Sequence, residues 1–89
     1  MSRGRILIAD DTATYRAVLG DGLIAKGYEV VNAGDGLEAV NMLRKEMQNI
    51  DIAVLDLLMP KMLGFDVLRE IRKMEGGEKL KVVVISGLT

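Results

Sequence analysis

Apolar residues fall in four short runs along the chain, and polar breaks follow each one. Ile6-Leu7-Ile8-Ala9, Ile52-Ala53-Val54-Leu55 and Val82-Val83-Val84-Ile85 have no polar residue inside them. Unbroken apolar runs of this length predict strands buried on both faces, at 5–9, 52–55 and 81–86. Glu29-Val30-Val31-Asn32-Ala33 is shorter of apolar character and predicts a strand at the sheet edge. Between the runs the spacing changes to the helical period. Tyr15, Val18, Leu19, Gly22 and Leu23 predict an amphipathic helix over about 13–26, packed through that stripe. Ala39, Val40, Leu43 and Met47 predict a second over 37–47, and Phe65, Leu68 and Ile71 a third over about 65–74. Thr12 or Thr14 is placed to cap the first helix, and Gly27 suits the left-handed stop after it. Gly20 and Gly22 weaken that helix, by roughly 1 kcal/mol each relative to Ala. Gly34-Asp35-Gly36, Pro60 and Gly76-Gly77 mark turns or stops. The resulting order, β-α-β-α-β-α-β, with short connections, predicts right-handed crossovers and a parallel α/β sheet with helices on both faces.

Composition narrows the chemistry. At 89 residues the chain is one domain, and 49% hydrophobic residues suffice for a core. A net charge of −1 gives no electrostatic case for nucleic acid or an anionic membrane. Arg69, Arg72 and Lys73 form the one basic cluster and read as a solvated helix face. No run approaches the ~18 apolar residues of a membrane span, and no signal-like segment opens the chain, so the expected compartment is cytoplasmic. Cysteine and histidine are both absent, which removes disulfides, thiolate and imidazole ligands, and imidazole bases. Acid–base or metal chemistry must then use carboxylates, hydroxyls, lysine or backbone.

Three of the four strands run directly into such groups: Asp10-Asp11, Asp56 and Ser86. In a parallel sheet these strand ends share one edge, the edge at which ligands bind in open α/β folds. Carboxylates brought together there repel one another unless a cation sits among them. Oxygen-only donors favour a hard ion such as Mg²⁺, which leaves positions open for a phosphate oxygen. Asp56, on the central strand, is then the candidate nucleophile for an acyl phosphate, with Ser86 a nearby hydroxyl. Each acid alone also has a bland reading, as a turn residue or as a helix N-terminal acid favoured by the dipole. Their joint placement favours the site. Tyr15 and the methionines read as packing groups, Asp35-Gly36 as turn chemistry, and Asp66 and Glu70 as a solvated face.

On these residues the chain resembles the receiver domain of bacterial two-component response regulators. The resemblance rests on Asp10-Asp11, Asp35-Gly36, Asp56-Leu57-Leu58-Met59-Pro60, Gly64-Phe65 and Ser86-Gly87, and runs from Arg5 to Leu88. It implies a flavodoxin-like, doubly wound sheet of strand order 2-1-3-4, with residues 1–89 forming the N-terminal part of a receiver domain. It implies that Asp56 accepts a phosphoryl group from a histidine kinase or phosphotransfer protein, and that the domain is a self-phosphorylating acceptor rather than a turnover enzyme. It implies that Asp11, Asp56 and the backbone carbonyl of Leu58 bind Mg²⁺ directly, Asp10 doing so mainly through water. Ser86 would be the switch hydroxyl, and Gly87 would keep the approach to Asp56 open.

The chain departs from the family pattern in three places. Leu63 stands where an Asp usually precedes the helix-three glycine, which removes a cap. Five βα units at roughly 25–30 residues each need well over 100 residues, so helix four, strand five and helix five are expected to be missing. With them goes the strand-five lysine, which none of Lys73, Lys79 or Lys81 is placed to replace. The missing cover predicts association of two copies through strand four or the uncovered sheet face. The competing expectation is a truncated receiver acting as a non-phosphorylated structural or oligomerisation module.

Overall fold

The computed structural model describes residues 3–85. The elements follow the predicted order: β1 (Arg5–Ala9), α1 (Ala13–Ala25), β2 (Glu29–Ala33), α2 (Gly36–Glu46) with a 3-10 turn at Met47–Asn49, β3 (Ile52–Asp56), α3 (Gly64–Lys73) and β4 (Lys81–Ile85). The strands form one parallel sheet of order β2-β1-β3-β4. Two of the three unbroken apolar runs, β1 and β3, take the central places, and the third, β4, lies at an edge. Leu7 pairs with Val31 on one side and Ala53 on the other, and Val54 pairs with Val83.

Alternation along the strands divides the sheet into two unequal faces. Leu7, Ala9, Ala53 and Leu55 point to the face covered by α2 and α3, where they join Ala39, Val40, Leu43, Val67 and Ile71 in the core. The α2 stripe is as predicted, with Met47 half-buried beyond it. In α3 the buried residues are Gly64, Val67 and Ile71, while Phe65 faces out at 56% exposure.

The opposite face carries α1 alone, over β1 and β2. Gly20 faces the sheet without a glycine being required there: a Cβ would stand 3.6 Å from Val30 and 3.9 Å from Ile8, ordinary packing distances. This helix corrects the predicted stripe. Tyr15 and Val18 are exposed, at 46% and 68%, and Gly20 is the one buried residue of α1. The helix is apolar nearly all round, so its period does not specify a single inner side.

β4 is less buried than its unbroken apolar run alone predicts, in keeping with the uncovered sheet face expected from the resemblance: Val83 is 49% exposed and Val82, Val84 and Ile85 are half-buried. Among the described residues nothing covers the β3–β4 half of the α1 face. Ile6, Ile52, Val54, Val83 and Ile85 floor an open apolar groove of about 360 Å³, walled by Tyr15, Leu19, Leu23 and Tyr28.

The helix ends show how local chemistry was and was not readable. Gly27 has φ 96°, the left-handed stop expected of it. Thr12 is the N-cap of α1, but its side chain makes no capping bond. Leu63 is likewise a cap without a side-chain bond. Arg72 is not simply solvated: its guanidinium donates to the carbonyls of Gly77 (2.6 Å) and Leu80 (2.8 Å), closing the turn between α3 and β4.

Candidate functional site

Because all four strands are parallel, their C-terminal ends and the loops that follow lie along one edge. Asp10 follows β1. Its N–H donates to the Ala33 carbonyl (3.1 Å), which extends the β1–β2 ladder by one residue. Its carboxylate accepts the Thr12 N–H (2.8 Å), a local turn that leaves Asp10 only 5% exposed. Asp11, the next residue, is exposed. Asp56 ends β3 in register with Ile85 and is 6% exposed. One carboxylate oxygen from each of Asp10, Asp11 and Asp56 lies within 4.8 Å of the others.

The charge balance of this trio is unfavourable as it stands. Among the described residues none of the three carboxylates is ion-paired. Burial raises the Asp56 carboxyl above its ordinary range, and the neighbouring charges of Asp10 and Asp11 push the same way. The backbone N–H of Leu58 opposes them, donating to Asp56 Oδ1 at 3.3 Å. A carboxylate held in such surroundings is more basic than one in water, and so a better nucleophile. The donor set fits a hard divalent cation: three carboxylates, no nitrogen or sulfur, and, among the described residues, no lysine or arginine ion-paired with them.

The loop after Asp56 is fastened at several points. Leu57 donates to the Ile85 carbonyl (2.8 Å), and Gly64 donates back to the Leu57 carbonyl (2.9 Å). A side chain on Gly64 would overlap the Asp56 carbonyl oxygen and stand 2.9 Å from the Leu57 Cα. Gly64 therefore lets α3 start directly against the strand that presents Asp56. Met59 is buried beneath the loop, while Leu58 is 61% exposed at the mouth of the site. Lys61 takes the left-handed conformation (φ 71°) and its ammonium reaches Asp35 Oδ2 at 3.4 Å.

Asp35 does not join the acidic trio. It is the N-cap of α2, accepting the Glu38 N–H at 2.8 Å, in keeping with its reading as turn chemistry. That bond, aided by Lys61, lowers its carboxyl below the ordinary range. Gly36 beside it is a contact point: a Cβ there would come within 2.6 Å of Met62. The Lys61–Asp35 pair went unread in the sequence, where the one clue was a long cation directly after Pro60. Asp66 and Glu70 pair with Arg69, Lys73 and Arg44 on the outer surface of the helices, away from the site. Ser86, Gly87 and Leu88 lie outside the described residues.

A family model for the response regulator receiver domain matches residues 6–89. Among curated proteins, the chain is 44% identical over 72 residues to a probable transcriptional regulator, ycf27, of Guillardia theta, which covers 81% of this chain and 28% of that protein. It is 35% identical over 85 residues to the chemotaxis protein CheY of Treponema pallidum, covering 94% of this chain and 58% of that one. Among solved structures, the CheX-CheY-BeF3-Mg complex of Borrelia burgdorferi aligns with TM-score 0.89 at 33% identity, over 98% of this chain and 64% of that one. CheY4 of Vibrio cholerae aligns with TM-score 0.89 at 28% identity, over 97% of this chain and 70% of that one. The chain thus spans less than two thirds of the length of these curated relatives.

Proposed function

Since this chain belongs to the response regulator receiver domain family, we propose that it is a phosphoacceptor of two-component signalling and that Asp56 is the acceptor. The observation that carries this reading is the convergence of Asp10, Asp11 and Asp56 within 4.8 Å, with Asp56 buried at a strand end. The phosphodonor would be a histidine kinase or a phosphotransfer protein. One Asp56 carboxylate oxygen attacks the phosphorus of the donor phosphohistidine. The new P–O bond forms as the P–N bond breaks, and the imidazole leaves with that electron pair.

Asp11, Asp56 and the Leu58 carbonyl are the groups we assign to hold Mg²⁺, with Asp10 beside them. When bound, the ion offsets the negative charge that gathers on the phosphoryl oxygens. The chain's own part is positional. β3, the Leu58 amide and the Gly64 contact hold Asp56 in one orientation at the open edge. Ser86 follows β4 in sequence and is the hydroxyl assigned to the phosphoryl group. The exposed apolar β3–β4 half of the α1 face supports a further part of the reading, association of two copies there or along β4.

The test is labelling of the 89-residue chain with acetyl phosphate, followed by intact mass. One added phosphoryl group that requires Mg²⁺ and vanishes in Asp56→Asn is the expected result. Absence of labelling with both acetyl phosphate and a cognate kinase, or labelling that persists in Asp56→Asn, would overturn the assignment and leave a non-phosphorylated interaction module.

A further inference from the structure

The Asp10–Asp11 turn has a partner outside the acidic trio. Arg16, in the second turn of α1, donates from Nη1 to the main-chain carbonyl of Asp10. The same guanidinium nitrogen lies against the β2–α2 loop, 3.7 Å from where a Cβ of Gly34 would stand. Asp10 is thereby held at three atoms. Its N–H is on Ala33, its carboxylate is on the Thr12 N–H, and its carbonyl is on Arg16.

The third of these bonds bears on Asp11. The Asp10 carbonyl and the Asp11 nitrogen belong to one rigid peptide plane. Restraining that carbonyl restrains the plane, and with it the Asp11 nitrogen and Cα from which the side chain departs. Asp11 needs such help. It is exposed, and its carboxylate has no hydrogen bond or ion pair among the described residues. Asp56 and Asp10, by contrast, are buried and tied locally. We infer that Arg16 is a positioning residue for the cation site: it holds the Asp10–Asp11 peptide so that the Asp11 carboxylate meets those of Asp10 and Asp56. This rests on the reading of the trio as a Mg²⁺ site.

Charge and position predict opposite signs, which makes the inference decidable. A guanidinium acting only as a nearby positive charge would repel Mg²⁺, so its removal would tighten binding. A guanidinium acting through the peptide would weaken binding when removed, and lost partners of metal ligands typically cost about 10–100-fold in affinity. The experiment is a Mg²⁺ titration of the 89-residue chain followed by amide NMR shifts, with ¹⁵N relaxation of Asp11 and a thermal melt on each sample. The expected result for Arg16→Ala is a Kd raised about tenfold or more and a lower order parameter at Asp11 in the metal-free protein. Arg16→Lys, which keeps one donor, should fall between Arg16→Ala and the parent. If Arg16→Ala does not fold, Arg16→Gln replaces it in both readouts. Binding as tight as the parent's, or tighter, in a folded variant would overturn the inference, as would an unchanged Asp11 order parameter. A parent that binds no Mg²⁺ would refute the metal-site reading instead, and the Asp11 order parameter would then decide the role of Arg16 by itself.

Discussion

Gly64→Ala is a sharp test of how the strand that ends in Asp56 is held. The added methyl would overlap the Asp56 carbonyl oxygen, and it would stand 2.9 Å from the Leu57 Cα and 3.1 Å from the Asp56 carbonyl carbon. All three are backbone atoms of a strand end paired into the sheet, so no side chain can swing aside. The start of α3 must lift, and the Gly64 N–H bond to the Leu57 carbonyl stretches with it. Overpacking of this kind costs about 1–3 kcal/mol, and contact with fixed backbone argues for the upper end. Replacing Gly by Ala returns about 0.4–1 kcal/mol through the unfolded chain. The net expectation is a loss of about 2 kcal/mol, or roughly 8–16 °C in Tm for a domain of this size. Gly22→Ala is the internal control, because a Cβ there meets nothing within 4 Å; it should stabilise by up to about 1 kcal/mol. Urea unfolding followed by far-UV circular dichroism reads both, and a Mg²⁺ titration reads the displacement of Asp56. Equal stability of Gly64→Ala and parent would refute the close-approach reasoning. A stability loss with unchanged Mg²⁺ affinity would show that the helix moves without the acceptor.

Three further outcomes are expected. Burial raises the Asp56 carboxyl, so the folded state is favoured by its protonated form: this contribution is present below the ordinary aspartate range and is lost as pH rises through the raised value. Asp56→Asn should therefore be more stable than the parent at neutral pH, with the difference closing in acid; urea midpoints at the two pH values that show a constant gap would contradict this. The aspartyl phosphate should be long-lived because Leu58, exposed at the mouth, cannot hydrogen-bond an attacking water, and the sequence places Leu88 two residues beyond Ser86. Leu58→Asn with Leu88→Glu should lose phosphate at least tenfold faster, given the roughly 10²–10⁴-fold that positioned acid–base groups supply, and an unchanged rate would sink the water-exclusion idea. The 89-residue chain should self-associate and bind a hydrophobic dye through the groove at Val54, Val83 and Ile85, with Val83→Lys reducing both; a monomeric parent by sedimentation at high concentration would count against it.

The trio was legible because it depends only on chain order. Once three apolar runs are strands of one parallel sheet, Asp10, Asp11 and Asp56 must share an edge whatever the details of packing. The edge position of β2 followed from its weaker apolar run, whereas the strand order was implied by the family resemblance. What could not be read depends on neighbours distant in the chain. An apolar run such as Val82–Ile85 is identical in sequence whether or not a further layer covers it, so the run itself did not show the exposure of Val83; the expectation of an uncovered sheet face came from the family resemblance. The outward Tyr15 and Val18 were missed because α1 is apolar around most of its circumference and one period fits several faces. Arg72 looked like a surface cation, and the Lys61–Asp35 pair went unread, because the partners are set by loop geometry rather than by spacing.

The site divides into a fixed half and an adjustable half. Asp56 stands on a strand whose exit is pinned on both sides, by the Leu57 bond to Ile85 and the Gly64 bond to Leu57. Asp10 is buried and closed on Thr12. Asp11 alone is exposed, and only its backbone is restrained. Mutual repulsion among three carboxylates must be relieved somewhere in the metal-free protein, and the side chain that can turn to water without breaking a bond is Asp11. Cation binding would then order one side chain rather than rebuild a loop. Its entropic cost is confined to the rotamers of a short aspartate, on the order of 1 kcal/mol. On the proposed reading, a rigid Asp56 beside one movable carboxylate would let a cation bind and leave readily while Asp56 keeps its orientation at the open edge.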